Sequence, residues 1–238
     1  MKAVILAGGK GLRFSEETYI RPKPMIKIGH KPILWHLINY LSKYGVKEFI
    51  VALGYKGRII KEYIKSDKSL KHLKIHLIDT GKNSMTGARI KKIEYLIKEN
   101  YFLLTYGDGL SDINIKKLIR FHKKNKKIGT MSVVKTPPRW GYVKYSKDNV
   151  IKSFAEKSFK DENRINGGFM IMSKKIFQFI KPNKKNEIFE STTLPKLVKN
   201  KELMAFKHNG FWQCMDNIRE KVILEKIWNT KKAPWKIW

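Results

Sequence analysis

The sequence predicts an α/β fold: a mixed but mainly parallel sheet flanked by helices, with a small additional β-rich region. Three observations predict it. Through residues 3–134, short apolar runs alternate with amphipathic stretches of roughly a dozen residues, the pattern of strand–helix–strand crossover units. Two glycine-bearing segments, AGGKG (7–11) and YGDG (106–109), each follow an apolar run directly, where parallel sheets place their ligands. From residue 130 the apolar pieces become shorter and more strand-like.

The elements follow in order. AVILA (3–7) is an uncharged apolar run, as expected of a strand covered on both faces. Residues 33–45 set Ile33, Leu34, Leu37, Ile38 and Leu41 at helical spacing, and Gly45 supplies the stop. EFIVAL (48–53) gives a second strand, GRIIKEYIK (57–65) a second helix and LKIHLID (73–79) a third strand. A helix over 88–98, a strand over 101–106, a helix over 113–124 and a strand over 128–134 complete the alternation. Beyond it, strands are expected at 141–145, 150–154, 167–172 and 203–207, and helices at 174–180, 190–199 and 217–228. No repeat, linker or low-complexity tract interrupts the chain, so residues 1–238 read as a single unit.

Charge and cysteine usage narrow the function classes. Lys and Arg number 51 against 20 Asp and Glu, a net charge of +31. The lysine runs KKNKK (123–127), KPNKKNE (181–187) and NTKKAPWK (229–236) fall between apolar segments, where solvated surface is expected. No nucleic-acid motif accompanies them, and the aromatic residues do not interleave with the charge, so no nucleic-acid partner is expected. Cys214, alone in the sequence, excludes an internal disulfide and a cysteine-based zinc site within one chain. No uncharged apolar stretch approaches the ~18 residues of a membrane span, and the N-terminus lacks the layout of a signal peptide. A cytoplasmic protein without a membrane partner is expected. His30, His36, His72, His76, His122 and His208 are scattered and form no metal-binding spacing; His36, within an amphipathic helix, reads as structural.

The opening loop, AVILAGGKGLRF (3–14), poses the functional question. Glycines after a strand bring backbone N–H groups close to an anion. A dinucleotide fingerprint fails, because Phe14 stands at its third glycine position and no acid closes EFIVAL; the Walker spacing fails as well. By itself the loop reads either as an ordinary glycine turn or as a phosphate cradle. Arg13 and Lys23, the latter framed by Pro22 and Pro24, add two cations beside it, which suits a triphosphate better than a neutral ligand.

LAGGKGLRFSEET (6–18) followed by RPKPMIKIGHKPILWH (21–36) resembles the signature of the sugar-phosphate nucleotidyltransferases, the NDP-sugar pyrophosphorylases. Further co-linear stretches resemble the glucose-1-phosphate cytidylyltransferase branch: GYKGRIIKEY (54–63), DTGKNSMTGARIK (79–91), TYGDGLSDI (105–113), INGGFMI (165–171), ELMAFKHNGFWQCMDNIREK (202–221) and KAPWK (232–236). SMTGAR and GFWQCMD are the most specific of these.

The resemblance implies a Rossmann-like nucleotide-diphospho-sugar transferase fold, with residues 1–129 as nucleotide-binding core and 130–238 as the sugar-phosphate-binding and C-terminal part. It implies a reaction between CTP and a sugar 1-phosphate that releases pyrophosphate, dependent on Mg2+, in a homo-oligomer. Leu6, Ala7, Gly8, Gly9, Lys10, Gly11, Leu12 and Arg13, with Lys23 and Gly107, would bind the nucleotide, and Ser84 and Arg89 would recognise cytidine. Arg13, Lys23 and Asp108 would be catalytic. Asp108 and Asp216 would ligate the metal, which favours one or two carboxylates plus substrate phosphates; alone, each aspartate reads equally as a turn or helix-cap residue. Glu156 and Lys157 would hold the sugar phosphate, and Asn166, Gly167 and Gly168 would lie near the sugar. Cys214 reads as a packed thiol beside the site. Ser158 stands where the family has proline, Arg139 alters the register after Pro138, and the stretch near 65–74 is shorter than in typical members. Another acceptor phosphate, UTP or dTTP in place of CTP, or a basic nucleic-acid-binding protein on the same fold remain the alternative readings.

Overall fold

The computed structural model describes residues 1–136, 142–155, 164–181 and 185–238. Inside the sheet, with a strand paired on either side, lies β1 (Lys2–Leu6), buried at every position as its apolar run requires. With β2 (Glu48–Leu53), β3 (Lys74–Asp79), β4 (Tyr101–Tyr106), β5 (Gly129–Val134), β6 (Ile165–Ser173) and β7 (Leu203–His208) it forms a seven-stranded sheet, in the order β7-β5-β6-β4-β1-β2-β3. β6 pairs antiparallel with both β4 and β5, and the other sheet pairings are parallel. The expected mixed, mainly parallel sheet is therefore the one found, and β5 to β7 extend the same sheet that the first half begins.

Successive residues of each strand face opposite layers, and the core divides accordingly. Ala3, Ile5, Phe49 and Val51 face the layer of α1 (Ile33–Lys43), α2 (Gly57–Ser66), the helix Ile115–Asn125 and the helix Ile218–Asn229. Val4, Leu6, Ile50 and Ala52 face Ile90 of α3 (Thr86–Lys92), with Ile93, Ile97 and Leu197. α1 buries all five of the apolar positions that predict it. The C-terminal turn closes the first layer: Trp235 is fully buried and stacks on Phe211 and Trp228.

Several boundaries differ from the expectations. α3 begins at Thr86 because the amides of Met85 and Ala88 donate to the carbonyls of Lys185 (2.9 Å) and Glu187 (3.1 Å), distant backbone that no local pattern reveals. It ends at Lys92 and tightens into a 3-10 turn, Glu94–Leu96. The helix expected over 174–180 is a 3-10 turn, Lys174–Gln178, and the one over 190–199 opens with a π turn, Phe189–Thr193. Of the strand-like pieces, Tyr142–Tyr145 and Ile151–Ala155 form a separate antiparallel pair. A second pair, Gly109–Ser111 with Trp212–Cys214, has no counterpart in the sequence reading and proves central to the site.

The short connection between α2 and β3 is tied by one carboxylate. Asp67 accepts from Lys31 Nζ (2.7 Å), Tyr63 Oη (2.6 Å) and the Ser69 amide (2.9 Å). These donors outweigh the burial that opposes its charge, so its carboxyl is held far below the usual range.

Candidate active site

A cleft of about 650 Å³ opens at the carboxyl ends of β1 and β4, lined by residues 6–12, Lys23, Pro24, 82–86, Arg89 and 106–108. This is where a parallel sheet leaves strand-end loops side by side. The start of the glycine loop is fixed by two hydrogen bonds: the Ala7 amide donates to Ala52 O (3.0 Å) and the Tyr55 amide to Gly8 O (3.1 Å). Gly11 has φ +65°, and a Cβ there would meet Thr18 Cγ2 at 2.7 Å, so this position requires glycine. Gly9 and Lys10 are exposed, and Leu12 is 79% exposed at the mouth. Arg13 lies in the 3-10 turn Leu12–Phe14 that follows.

The floor of the cleft rests on Arg89. Its buried guanidinium donates through Nη1 to Leu53 O (2.8 Å), Thr80 Oγ1 (2.7 Å) and Gly81 O (2.9 Å), and through Nη2 to Gly8 O (2.8 Å). One side chain thus joins the ends of β1 and β2 to the loop after β3. Burial without a close carboxylate lowers its pKa, partly offset by Asp79. A Cβ on Gly8 would sit 2.3 Å from Nη1, so glycine there is what lets the arginine pass. Ser84 is buried beside it, donating to Thr80 O (2.5 Å) and accepting from Lys92 Nζ (3.3 Å). Gly107 donates to Leu6 O (3.1 Å), which sets the YGDG turn against β1.

Three charged side chains from distant parts of the chain meet at the other end of the cleft. Asp108 lies two residues beyond the end of β4. Asp216 follows the strand Trp212–Cys214, whose pairing with Gly109–Ser111 brings the two aspartates together; the Met215 amide donates to Asp108 O (2.9 Å). Between them lies Lys23, on a 3-10 turn (Lys23–Met25) flanked by prolines. Its ammonium is 2.8 Å from Asp108 Oδ2 and also donates to Asp216 Oδ1. Burial works against that charge, but the two carboxylates outweigh it and the lysine pKa is raised. Asp216 is not the helix cap that its position suggests. Asn217 caps the helix Ile218–Asn229, accepting from the Glu220 amide (3.0 Å), while the Asp216 amide donates to Glu220 Oε2 (2.5 Å).

This donor set fits a hard divalent cation: two carboxylates converge on one position already held by positive charge. Cys214 lies close by, but burial first, and then the neighbouring carboxylates, push its thiol up to about 12. Its Sγ lies 3.8 Å from Glu220 Oε2, to which it donates.

On the segment expected to lie near the sugar, Asn166 Oδ1 accepts from the Gly168 amide (2.8 Å), and Gly167 O accepts from Trp212 Nε1 (2.7 Å). Gly168 has φ +81°, and a Cβ there would meet Tyr106 Cδ2 at 2.9 Å. Sequence reasoning missed the group behind this segment. Tyr106 Oη, on the cleft wall, donates to Glu190 Oε1 (2.6 Å) and lies 3.4 Å from Asn166 Nδ2; Glu190 Oε2 accepts from Thr86 Oγ1 (2.5 Å). Only the place of Tyr106 at the strand end, as the first residue of YGDG, could have pointed to it. Glu156 and Lys157, with Arg139 and Ser158, lie outside the described residues. Among the described residues, no helix is long and apolar enough to cross a membrane.

Comparison with known proteins places this geometry. The family model for nucleotidyl transferases matches residues 2–219. A glucose-1-phosphate cytidylyltransferase of Salmonella typhi is 43% identical over an alignment 259 positions long, covering all of both chains. A probable glucose-1-phosphate cytidylyltransferase of Bacillus subtilis is 39% identical over 258, again covering both chains fully. Among solved structures, HddC from Yersinia pseudotuberculosis, complexed with GMP-PN, superposes with a TM-score of 0.75 at 27% identity, covering 95% of this chain and 99% of that one.

Proposed function

The chain belongs to the nucleotidyl transferase family, and from that premise we propose that it joins CTP to α-D-glucose 1-phosphate, giving CDP-glucose and pyrophosphate. The observation that carries the reading is full-length similarity to cytidylyltransferases together with a cleft in which the glycine loop, Lys23, Asp108 and Asp216 converge.

In this reaction an oxygen of the sugar phosphate attacks the α-phosphorus in line. The bond from that phosphorus to the bridging oxygen breaks, and pyrophosphate leaves with the electron pair. The protein's task is positioning and charge stabilisation. Backbone amides of the glycine loop, residues 8–12, cradle the nucleotide phosphates while Leu6, Ala7 and Gly107 wall the cleft beside them, with Lys10 and Arg13 adding positive charge for the departing pyrophosphate. Ser84 and Arg89 shape the cytosine end, Arg89 by fixing the surrounding carbonyls. Lys23 holds positive charge where the two phosphates approach each other. Glu156, Lys157 and the segment Asn166–Gly168 receive the sugar and its phosphate. Members of the family are generally dependent on a divalent metal; we assign Mg2+, held by Asp108 and Asp216, which when bound neutralises phosphate charge. Residues 1–129 serve as the nucleotide-binding core and 130–238 as the acceptor-binding and C-terminal part of one unit, and the working form is a cytoplasmic homo-oligomer.

The test is pyrophosphate release from CTP plus glucose 1-phosphate with Mg2+. Turnover that requires both substrates supports the reading. Silence with this pair alongside turnover with UTP or dTTP removes the cytidine assignment.

A further inference from the structure

Lys23 fills the position that the two metal-binding carboxylates define. Its ammonium hydrogen-bonds Asp108 Oδ2 at 2.8 Å and Asp216 Oδ1, and its side chain is 10% exposed. A small divalent cation would draw the same oxygens to about 2.0–2.1 Å. The lone pairs that face Lys23 cannot serve both cations, and like charges a few ångströms apart in a partly buried site repel strongly. At these two oxygens the ammonium and a metal ion therefore compete.

We propose that Lys23 is the resident counter-cation of the free enzyme, competing with the divalent metal for Asp108 and Asp216 and yielding when nucleotide phosphates offer its ammonium another partner. The exchange needs no backbone movement. Pro22 and Pro24 fix the turn that carries Lys23, while the flexible four-carbon stem reaches either the carboxylates or the cleft that it lines. In the free site the lysine places positive charge between two neighbouring carboxylates. On binding, metal and triphosphate enter together, and the displaced ammonium is delivered to the phosphates on which it acts. This inference rests on reading Asp108 and Asp216 as the metal carboxylates.

The experiment is Mn2+ binding to the full chain, followed by the electron paramagnetic resonance signal of free Mn2+, with no nucleotide or sugar phosphate present. Wild type is expected to bind weakly and Lys23→Met at least tenfold more tightly. Lys23→Arg, which keeps the positive charge, should stay as weak as wild type, and Asp108→Asn added to Lys23→Met should remove the gain. Lys23→Gln carries the same expectation as Lys23→Met and replaces it should the latter not fold. Binding by both neutral variants no tighter than wild type overturns the inference. Because no substrate is present, the outcome is independent of whether CTP and glucose 1-phosphate are turned over.

Discussion

Arg89 carries the densest set of hydrogen bonds in the cleft, and its consequence is measurable at the scale of one residue. Arg89→Met leaves the carbonyls of Gly8, Leu53 and Gly81 without their charged donor. It should cost at least about 3 kcal/mol in urea unfolding and raise KM for CTP; a variant of wild-type stability would contradict the role given to the guanidinium. Asp108→Asn should lower turnover by at least about a hundredfold, with far-UV circular dichroism unchanged. Retained activity would remove Asp108 from the reacting centre. His36 supplies a pH dependence. Its Nε2 lies 2.9 Å from Ile28 O, Trp35, Trp228, Trp235 and Trp238 surround its ring, and burial, the dominant influence, lowers its pKa to about 4. The neutral ring is favoured in the fold, whereas the unfolded chain takes up a proton near pH 6.5. The stabilisation is thus fully present above pH 6.5 and is lost as pH falls toward 4, by up to about 3 kcal/mol. His36→Gln should flatten that acid limb in urea titrations taken at successive pH values; an unchanged limb would show that other groups set it. The sequence marked His36 as structural and Asp108 as a ligand candidate. That Arg89 is spent on backbone carbonyls was illegible, because its acceptors come from three separate stretches of chain, at Gly8, Leu53 and Gly81.

At the scale of elements, the strands and α1 were readable because their burial is two-sided or follows one stripe, and that pattern is local. The start of α3 was not, since its first amides are satisfied by Lys185 and Glu187. Nor was the pairing of Gly109–Ser111 with Trp212–Cys214, two three-residue strands too short to leave a period. That pairing nevertheless sets Asp108 beside Asp216, so the convergence of the site depends on the least visible element of the fold. β6 offers a test of its own. The register between β5 and β6 shifts between Asn166 and Met170, and Gly168 turns through φ +81° against the ring of Tyr106. Gly168→Ala should cost about 1–2 kcal/mol from the backbone conformation alone and should raise KM for the sugar phosphate more than KM for CTP. Equal effects on both substrates would detach this segment from the acceptor end of the cleft.

For the whole molecule, one sheet with two apolar layers brings loops from both halves of the chain to a single edge, which is how residues as distant as Lys23 and Asp216 come to share one position. The fold class was legible from strand–helix alternation alone, whereas the base and the acceptor were legible only through resemblance. The net charge of +31 acts at this scale too. A strongly positive surface raises the encounter rate with polyanionic substrates, so kcat/KM for CTP should fall several-fold between low and physiological salt. The most direct measurement of the central claim is a panel crossing CTP, UTP, dTTP, GTP and ATP with several sugar 1-phosphates, read as kcat/KM from pyrophosphate release. CTP with glucose 1-phosphate should exceed every other pair by at least about tenfold. A higher value for another nucleotide, or for another acceptor with CTP, would contradict it.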